Sequence, residues 1–152
     1  KVDEIKLAAP MHDVGKIGIA DEILKKPGRL TAAEFSSMKE HSRIGYEMLA
    51  GSNIPMLDIA AIIAHSHHEK YDGTGYPNGL KGEEIPIQAR IVAIVDVHDA
   101  LTHKRVYKEA YAEDEVFEVM SGMAGNHLDE KLYDIFLSII DKIRDIKNQN
   151  PD

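Results

Sequence analysis

Apolar residues along the chain recur at the three- and four-residue spacing of α-helices. Gly15 and Gly18 bring a first predicted helix to an end, and one of its faces carries Ile5, Ala8, Ala9 and His12. After a loop that runs through residue 28, Thr31 and Glu34 have the spacing of a capping box, so a second helix begins there. One stripe of this second helix carries Met38, His41, Gly45 and Met48.

The rest of the chain follows the same helical period. A third helix is predicted over residues 55–68, a fourth over 87–101 and a fifth over 113–123, while the glycine- and proline-rich residues 70–86 form a loop. A last helix begins at Asp129, and its inner face carries Leu132, Ile135, Phe136, Ile139 and Ile143. Because alternating strand patterns are nearly absent, the sequence predicts an all-α domain spanning residues 1–152.

The amino-acid composition restricts the binding partners and the metal ligands that the chain can have. A net charge of −8 argues against DNA binding, because a phosphate backbone requires clustered Lys and Arg. No apolar stretch has the roughly 20 residues of a membrane helix, so no membrane contact is expected. The chain has no cysteine and eight histidines. It therefore excludes disulfides and thiolate ligands, fits a reducing cytoplasm, and leaves imidazole and carboxylate as metal ligands.

Two groups of histidines are candidates for a metal site. His12 and Asp13 are adjacent near the end of the first helix, with Lys16 one turn later. Taken alone, the pair also suits a core histidine beside an aspartate at a helix terminus. The second group contains His65, His67 and His68, whose spacing does not determine which rings would bind an ion. A polar helix end with solvated imidazoles is the alternative.

Asp96 lies among apolar residues in the fourth helix, where a buried carboxylate needs a cation, a metal or hydrogen bonds. The alternative is a structural aspartate bound to Arg90 or to a helix N-terminus. Asp99 follows one turn later and could hydrogen-bond a ligating histidine. His41, on the inner stripe of the second helix, would by itself suit a core histidine equally well.

These residues are more informative together than separately. Several predicted helices each supply an imidazole or a carboxylate, a combination that suits Fe, Mn, Co, Ni or Zn. Two adjacent ions of this kind, sharing a bridging carboxylate, would favour phosphoester hydrolysis.

The motifs resemble those of the HD-GYP family, a branch of the HD-domain phosphohydrolases. The resemblance covers residues 8–136 and rests on His12-Asp-Val-Gly-Lys16, His41, His67-His-Glu69, Asp72-Gly-Thr-Gly-Tyr-Pro77 and Asp96-Val-His-Asp-Ala-Leu101. It implies an HD-domain-like helical bundle whose Gly/Pro-rich loop carries the GYP motif. Members of the family hydrolyse cyclic di-GMP to the linear dinucleotide, some of them on to GMP. They use two or three divalent metal ions, often iron or manganese.

The resemblance also implies roles for individual residues. The metal ligands would be His12, Asp13, His41, His67, His68 and Asp96. Asp13 would bridge two ions and serve catalysis together with Lys16, which would contact the substrate phosphate or the nucleophile. Arg105 and Lys108 would hold phosphates, and Tyr76 would line the substrate pocket. His98 stands where the family usually has an aromatic residue.

The family pattern extends further upstream than this sequence does. Its members have a helix with another histidine before the His-Asp pair, so residues 1–152 are expected to lack the N-terminal helices of the domain. An upstream receiver or sensor domain and diguanylate cyclase partners are implied as well. Two other functions remain open: a catalytically weak module that binds cyclic dinucleotides or signalling proteins, and an HD hydrolase of monomeric nucleotides.

Overall fold

Helices dominate residues 2–103 and 111–149, the part of the chain that the computed structural model describes. Short 3₁₀ turns cover Ala9–Met11, Val14–Gly18 and Gly82–Glu84, and an isolated β-bridge joins Ala124 to Leu128. This part of the chain confirms the predicted all-α class. The α-helices are α1 (Val2–Ala8), α2 (Asp21–Leu24), α3 (Ala32–Leu49), α4 (Pro55–Ser66), α5 (Ile87–Thr102), α6 (Glu113–Met123), α7 (Glu130–Ser138) and α8 (Ile140–Gln149).

The predicted start of α3 is confirmed in atomic detail. The Thr31 hydroxyl accepts a hydrogen bond from the Glu34 amide at 3.3 Å, and the Glu34 carboxylate accepts one from the Thr31 amide at 2.7 Å. This reciprocal capping satisfies two backbone donors that the first helical turn would otherwise leave unpaired. The cap fixes where α3 begins and hence which of its residues face inward.

The first and last predicted helices were wrong in detail. The first stops at Ala8 and continues as a 3₁₀ turn, because Pro10 has no amide hydrogen to donate within an α-helix. The last is interrupted at Ile139, which separates α7 from α8. Ile135 and Ile139 were predicted to face inward but are 57% and 41% exposed. They border an open apolar groove beside Val95 rather than a closed core.

Two apolar clusters hold the bundle together. In the first, α1, α4 and α5 pack through small and branched residues, namely Ala8, Ala60, Ile63 and Val92. In the second, α5, α6 and α7 enclose larger side chains, namely Ile94, Val116, Met120, Leu128, Tyr133 and Phe136. Helix α5 contributes to both clusters and so joins the two halves. None of the described helices combines the length and apolar character needed to cross a membrane.

Close backbone packing sets the distance between the His12-Asp13 segment and α3. A Cβ atom at Gly15 would overlap the carbonyl oxygen of His41 and the amide nitrogen of Gly45. Gly45 in turn lets α4 approach, since its own added Cβ would lie 3.1 Å from the Cβ of Ala64. The residues between α1 and α2 therefore reach α3 and α4 only because two facing positions lack side chains.

Gly15→Ala is predicted to destabilise the fold by at least about 2 kcal/mol, because the new methyl group would meet backbone atoms that cannot rotate away. Gly122→Ala is the matched control, since a Cβ there meets nothing within 4 Å. That substitution should stabilise α6 by about 0.4–1 kcal/mol. Urea denaturation midpoints measure both effects, and similar midpoints for the two variants would contradict the close contact at Gly15.

Candidate metal centre

The structure brings the predicted ligands together from separate elements. His12 and Asp13 lie between the 3₁₀ turns that follow α1, His41 lies in the middle of α3, and the remaining ligands are His67 and His68 at the end of α4 and Asp96 in α5. The elements that carry these residues pack directly against one another. The site therefore depends on the packing of the whole N-terminal half rather than on one loop.

One subset of these residues has the arrangement of a metal site. Asp13, His41, His67 and His68 each offer a ligand atom, and these atoms lie within 4.8 Å of one another. Imidazole nitrogens and carboxylate oxygens bind ions such as Zn²⁺ at about 2.0–2.2 Å, so atoms around one ion lie up to roughly 4.4 Å apart. The group is therefore close to the size that one divalent ion requires.

Hydrogen bonds fix the orientation of the buried rings. Nδ1 of His41 lies 2.6 Å from the Met38 carbonyl oxygen, and Nδ1 of His67 lies 3.1 Å from the carbonyls of Ile63 and Ala64. A carbonyl only accepts, so each Nδ1 donates its hydrogen and each Nε2 is the ring nitrogen that faces the centre. Both Nε2 atoms and Oδ1 of Asp13 are buried without a hydrogen-bond partner.

Unpaired buried polar atoms are costly, and here they point at one another. Nε2 of His41 lies 3.5 Å from Oδ1 of Asp13, and Nε2 of His67 lies 3.8 Å from the same oxygen. Both distances are longer than a hydrogen bond, but the lone pairs of these atoms still point toward the same place. A divalent cation would satisfy all of these atoms at once, so the residues present fit a metal ion.

The other oxygen of Asp13 faces a second group. Nε2 of His12 lies 3.4 Å from Oδ2 of Asp13 and 3.7 Å from Oδ1 of Asp96. Lys16 also donates a hydrogen bond to Oδ2 of Asp13. Because its two oxygens face different groups of ligand atoms, Asp13 has the geometry of a carboxylate that can bridge two ions.

Charges within the second group stabilise each other. The neighbouring carboxylates of Asp13 and Asp96 raise the pKa of His12 to about 10 despite partial burial. Burial by itself would raise the pKa of Asp13, but the nearby His12 and the hydrogen bond from Lys16 outweigh it and hold that pKa below its usual range. The proximity of His12 also lowers the pKa of Asp96. Both carboxylates are therefore ionised at neutral pH, and a metal ion that bound His12 would displace the proton from its Nε2.

In the group that contains His41 and His68, the pKa values of the histidines are lowered rather than raised. Burial, followed by repulsion from His67 and His41, lowers the pKa of His68 to about 3. Burial also lowers the pKa of His41. Both rings are neutral at pH 7, and a neutral imidazole is the form that binds a metal.

His65, which spacing alone left as a possible ligand, lies outside the cluster. Its ring packs against Tyr46, with the ring centroids 4.9 Å apart. His67 and His68 instead form a close pair, 4.0 Å between centroids, beside His41. The geometry agrees with the pair that the family resemblance selected.

The alternative that pairs Asp96 with Arg90 was wrong. Arg90 donates to Asp129 at 2.7 Å, whereas Oδ1 of Asp96 lies 3.7 Å from Nε2 of His12. The carboxylate of Asp96 therefore faces the His12 group. The carboxylate of Asp99 lies 3.1 Å from Nδ1 of His103, which is not one of the predicted ligands.

The loop over residues 70–86 carries the motif Gly75-Tyr-Pro77 and is called the GYP loop. It covers the histidine cluster through contacts that the sequence did not reveal. The Tyr76 ring lies 4.8 Å from the His68 ring at 30°, and the Tyr76 amide donates to the His68 carbonyl. Glu69 is 2% exposed and accepts hydrogen bonds from the amides of Asn78 and Leu80 at 2.7 and 3.1 Å. Its position directly after the two histidines was the only available signal for this role.

A family model described as "HD domain" matches residues 1–132. The chain belongs to the HD-domain family. Its place in the HD-GYP branch is supported by relatives such as the cyclic di-GMP phosphodiesterase response regulator RpfG of Xanthomonas campestris pv. campestris, which is 50% identical over 88% of this chain. Membership of this family implies a divalent metal site, which agrees with the fit of the clustered ligand atoms.

Other relatives carry related names. A cyclic di-GMP phosphodiesterase of Thermotoga maritima is 45% identical over 99% of this HD-domain chain, and the 3′3′-cGAMP-specific phosphodiesterase 2 of Vibrio cholerae is 44% identical over 100%. The chain spans 35%, 41% and 29% of the lengths of these relatives, in the order given. The predicted phosphate-binding residues Arg105 and Lys108 lie outside the described residues.

His67→Ala is predicted to weaken Mn²⁺ binding to this HD domain by more than about tenfold, because it removes one of the convergent lone pairs. His65→Ala is the control, since it removes an imidazole two positions away that packs on Tyr46. Isothermal titration calorimetry with Mn²⁺ measures both affinities. If the two variants lost affinity equally, the cluster would not be the binding site.

Glu69→Gln is predicted to loosen the GYP loop, because the amide group retains only one oxygen to accept hydrogen bonds from residues 78 and 80. Losing one charge-assisted bond should speed hydrogen exchange at those amides by about tenfold or more. Glu83→Gln, on an exposed position of the same loop, is the control. Exchange is followed by NMR, and unchanged rates in Glu69→Gln would refute the role of the carboxylate.

Proposed function

We propose that this domain is a metal-dependent phosphodiesterase that hydrolyses cyclic di-GMP to the linear dinucleotide, with GMP as the product of a second cleavage. The observation that carries the proposal is the convergence of unpaired buried atoms from Asp13, His41 and His67 at one point. The names of relatives that are 44–50% identical support cyclic dinucleotides as the substrate class.

The proposed cofactor is a pair of divalent ions, either iron or manganese. The proposal also allows a third ion. All predicted ligand atoms are imidazole nitrogens or carboxylate oxygens, a set that suits both metals. Asp13 would join the His41, His67 and His68 group to the His12 and Asp96 group. Divalent ions at such a centre supply Lewis-acid stabilisation of charge on phosphoryl oxygens and lower the pKa of water.

The protein's own contribution is orientation and charge. The Nδ1 hydrogen bonds hold the rings of His41 and His67 in place before substrate arrives. Lys16 is bound to Asp13 and about 40% exposed, so its ammonium can turn toward a phosphate at the same site. It would stabilise the negative charge that develops on the phosphoryl oxygens. Arg105 and Lys108 are proposed as further phosphate contacts on the basis of the resemblance.

We also propose that the full-length protein couples this activity to a regulatory domain. These three relatives are more than twice the length of the region that matches this chain, and the one from Xanthomonas is named a response regulator. A receiver or sensor domain upstream and diguanylate cyclases as partners are the corresponding proposals.

Protein loaded anaerobically with Fe²⁺ or Mn²⁺ is expected to hydrolyse cyclic di-GMP, with products measured by liquid chromatography. Asp13→Asn should lower turnover at least about 100-fold, because a neutral amide cannot replace the negatively charged carboxylate that faces both groups of ligand atoms and would bridge two divalent ions. Asp21→Asn is the control, since Asp21 forms an exposed pair with Lys25. Metal-loaded protein that leaves every cyclic dinucleotide intact would refute the proposed activity.

A further inference from the structure

An aromatic surface extends outward from the candidate metal centre. The Tyr76 ring packs on His68, and the Phe35 ring lies 6.2 Å beyond Tyr76 in an edge-to-face arrangement at 86°. Phe35 projects from α3 and is 48% exposed. A large aromatic side chain half open to solvent, one ring away from a predicted ligand, has no evident role in the core.

A lysine completes this surface. Lys39 lies one helical turn after Phe35 and so shares its face of α3. Its ammonium nitrogen lies 5.4 Å from the centroid of Phe35 and 5.6 Å from that of Tyr76, within the range of cation–π contacts. Among the described residues no carboxylate pairs with it. The ammonium is therefore held over the two rings while its hydrogen-bonding capacity remains available to a ligand.

We propose that Phe35, Tyr76 and Lys39 form the subsite for one purine base of the cyclic dinucleotide, and that Lys39 makes this subsite prefer guanine. The inference rests on the proposed function, because it takes the phosphate to lie at the metal centre. A base is attached to its phosphate through one sugar, and Phe35 is separated from His68 by one ring. The exposed face of Phe35 is where such a base can stack.

The preference for guanine follows from hydrogen-bonding chemistry. Guanine presents two acceptors, O6 and N7, on its exposed edge, whereas adenine presents the N7 acceptor beside an amino donor. An ammonium group has donors only, so Lys39 can satisfy both guanine atoms but meets the adenine amino group unfavourably. Stacking on Phe35 would not distinguish the two bases, because every base has an aromatic face.

The test measures binding separately from chemistry. Metal-loaded protein is titrated with the phosphorothioate analogues of cyclic di-GMP and cyclic di-AMP, which resist hydrolysis. Phe35→Leu should weaken both by about tenfold, while Phe35→Tyr, which retains the ring, should bind like the wild type. Lys39→Gln should lower the guanine-to-adenine affinity ratio about tenfold, because glutamine can pair with both N6 and N7 of adenine.

Tyr46→Leu is the matched control, since Tyr46 is an exposed aromatic residue on the same helix that packs on His65. It should leave both affinities unchanged. Turnover of methyl p-nitrophenyl phosphate, a phosphodiester without a base, should be the same in Phe35→Leu and wild type. Equal losses for this diester and for cyclic di-GMP would overturn the subsite, because Phe35 would then act through the metal centre.

The subsite and the proposed function fail in different ways. If Phe35→Leu and Lys39→Gln bind both analogues like the wild type while cyclic di-GMP is cleaved, the subsite is refuted and the activity stands. If the wild type cleaves neither cyclic di-GMP nor the simple diester, the activity is refuted. The effects of the substitutions on analogue binding then still decide whether the base subsite exists.

Discussion

The contact between Gly15 and the backbone of α3 is the constraint on which the site depends. It allows Asp13 to reach His41 across a distance that any side chain at residue 15 would widen. The same face of α3 accepts α4 at Gly45, and this second close approach brings in His67. Two positions without side chains thus decide whether ligands from three segments converge. A methyl group at Gly15 would move the whole arrangement apart, because it would overlap the backbone of α3.

The convergence of unpaired polar atoms destabilises the folded state. Each buried polar atom without a partner costs about 1–3 kcal/mol, and Asp13, His41 and His67 contribute such atoms at one place. Because Nδ1 of each ring is already bound to a backbone carbonyl, the rings cannot turn away to satisfy Nε2 elsewhere. A cation relieves the cost only if it binds the folded form. Metal binding and the stability of the N-terminal half are therefore coupled.

The sequence predicted the helices better than it predicted the surroundings of the site. Helical periodicity located α3 to α6, and the histidines and aspartates suggested candidate ligands. The proposed ligand set, with His67 and His68 rather than His65, came from the family resemblance. Periodicity failed at Ile135, because an amphipathic stripe does not reveal that part of it borders an open groove. Phe35 and Lys39 were missed for a related reason. An exposed aromatic residue is common, and only its distance from Tyr76 distinguishes it.

The acidic surface also bears on which anions the site can accept. With a net charge of −8, the protein repels long polyanions, whose many phosphates would face the surface beyond the centre. Screening limits this repulsion to about 8 Å at physiological ionic strength, so a small ligand held within the site is affected mainly by its immediate neighbours. Those neighbours include Lys16 at Asp13 and Lys39 beside the aromatic rings. The net charge therefore disfavours an extended nucleic acid more strongly than a small anion that is held close to these lysines.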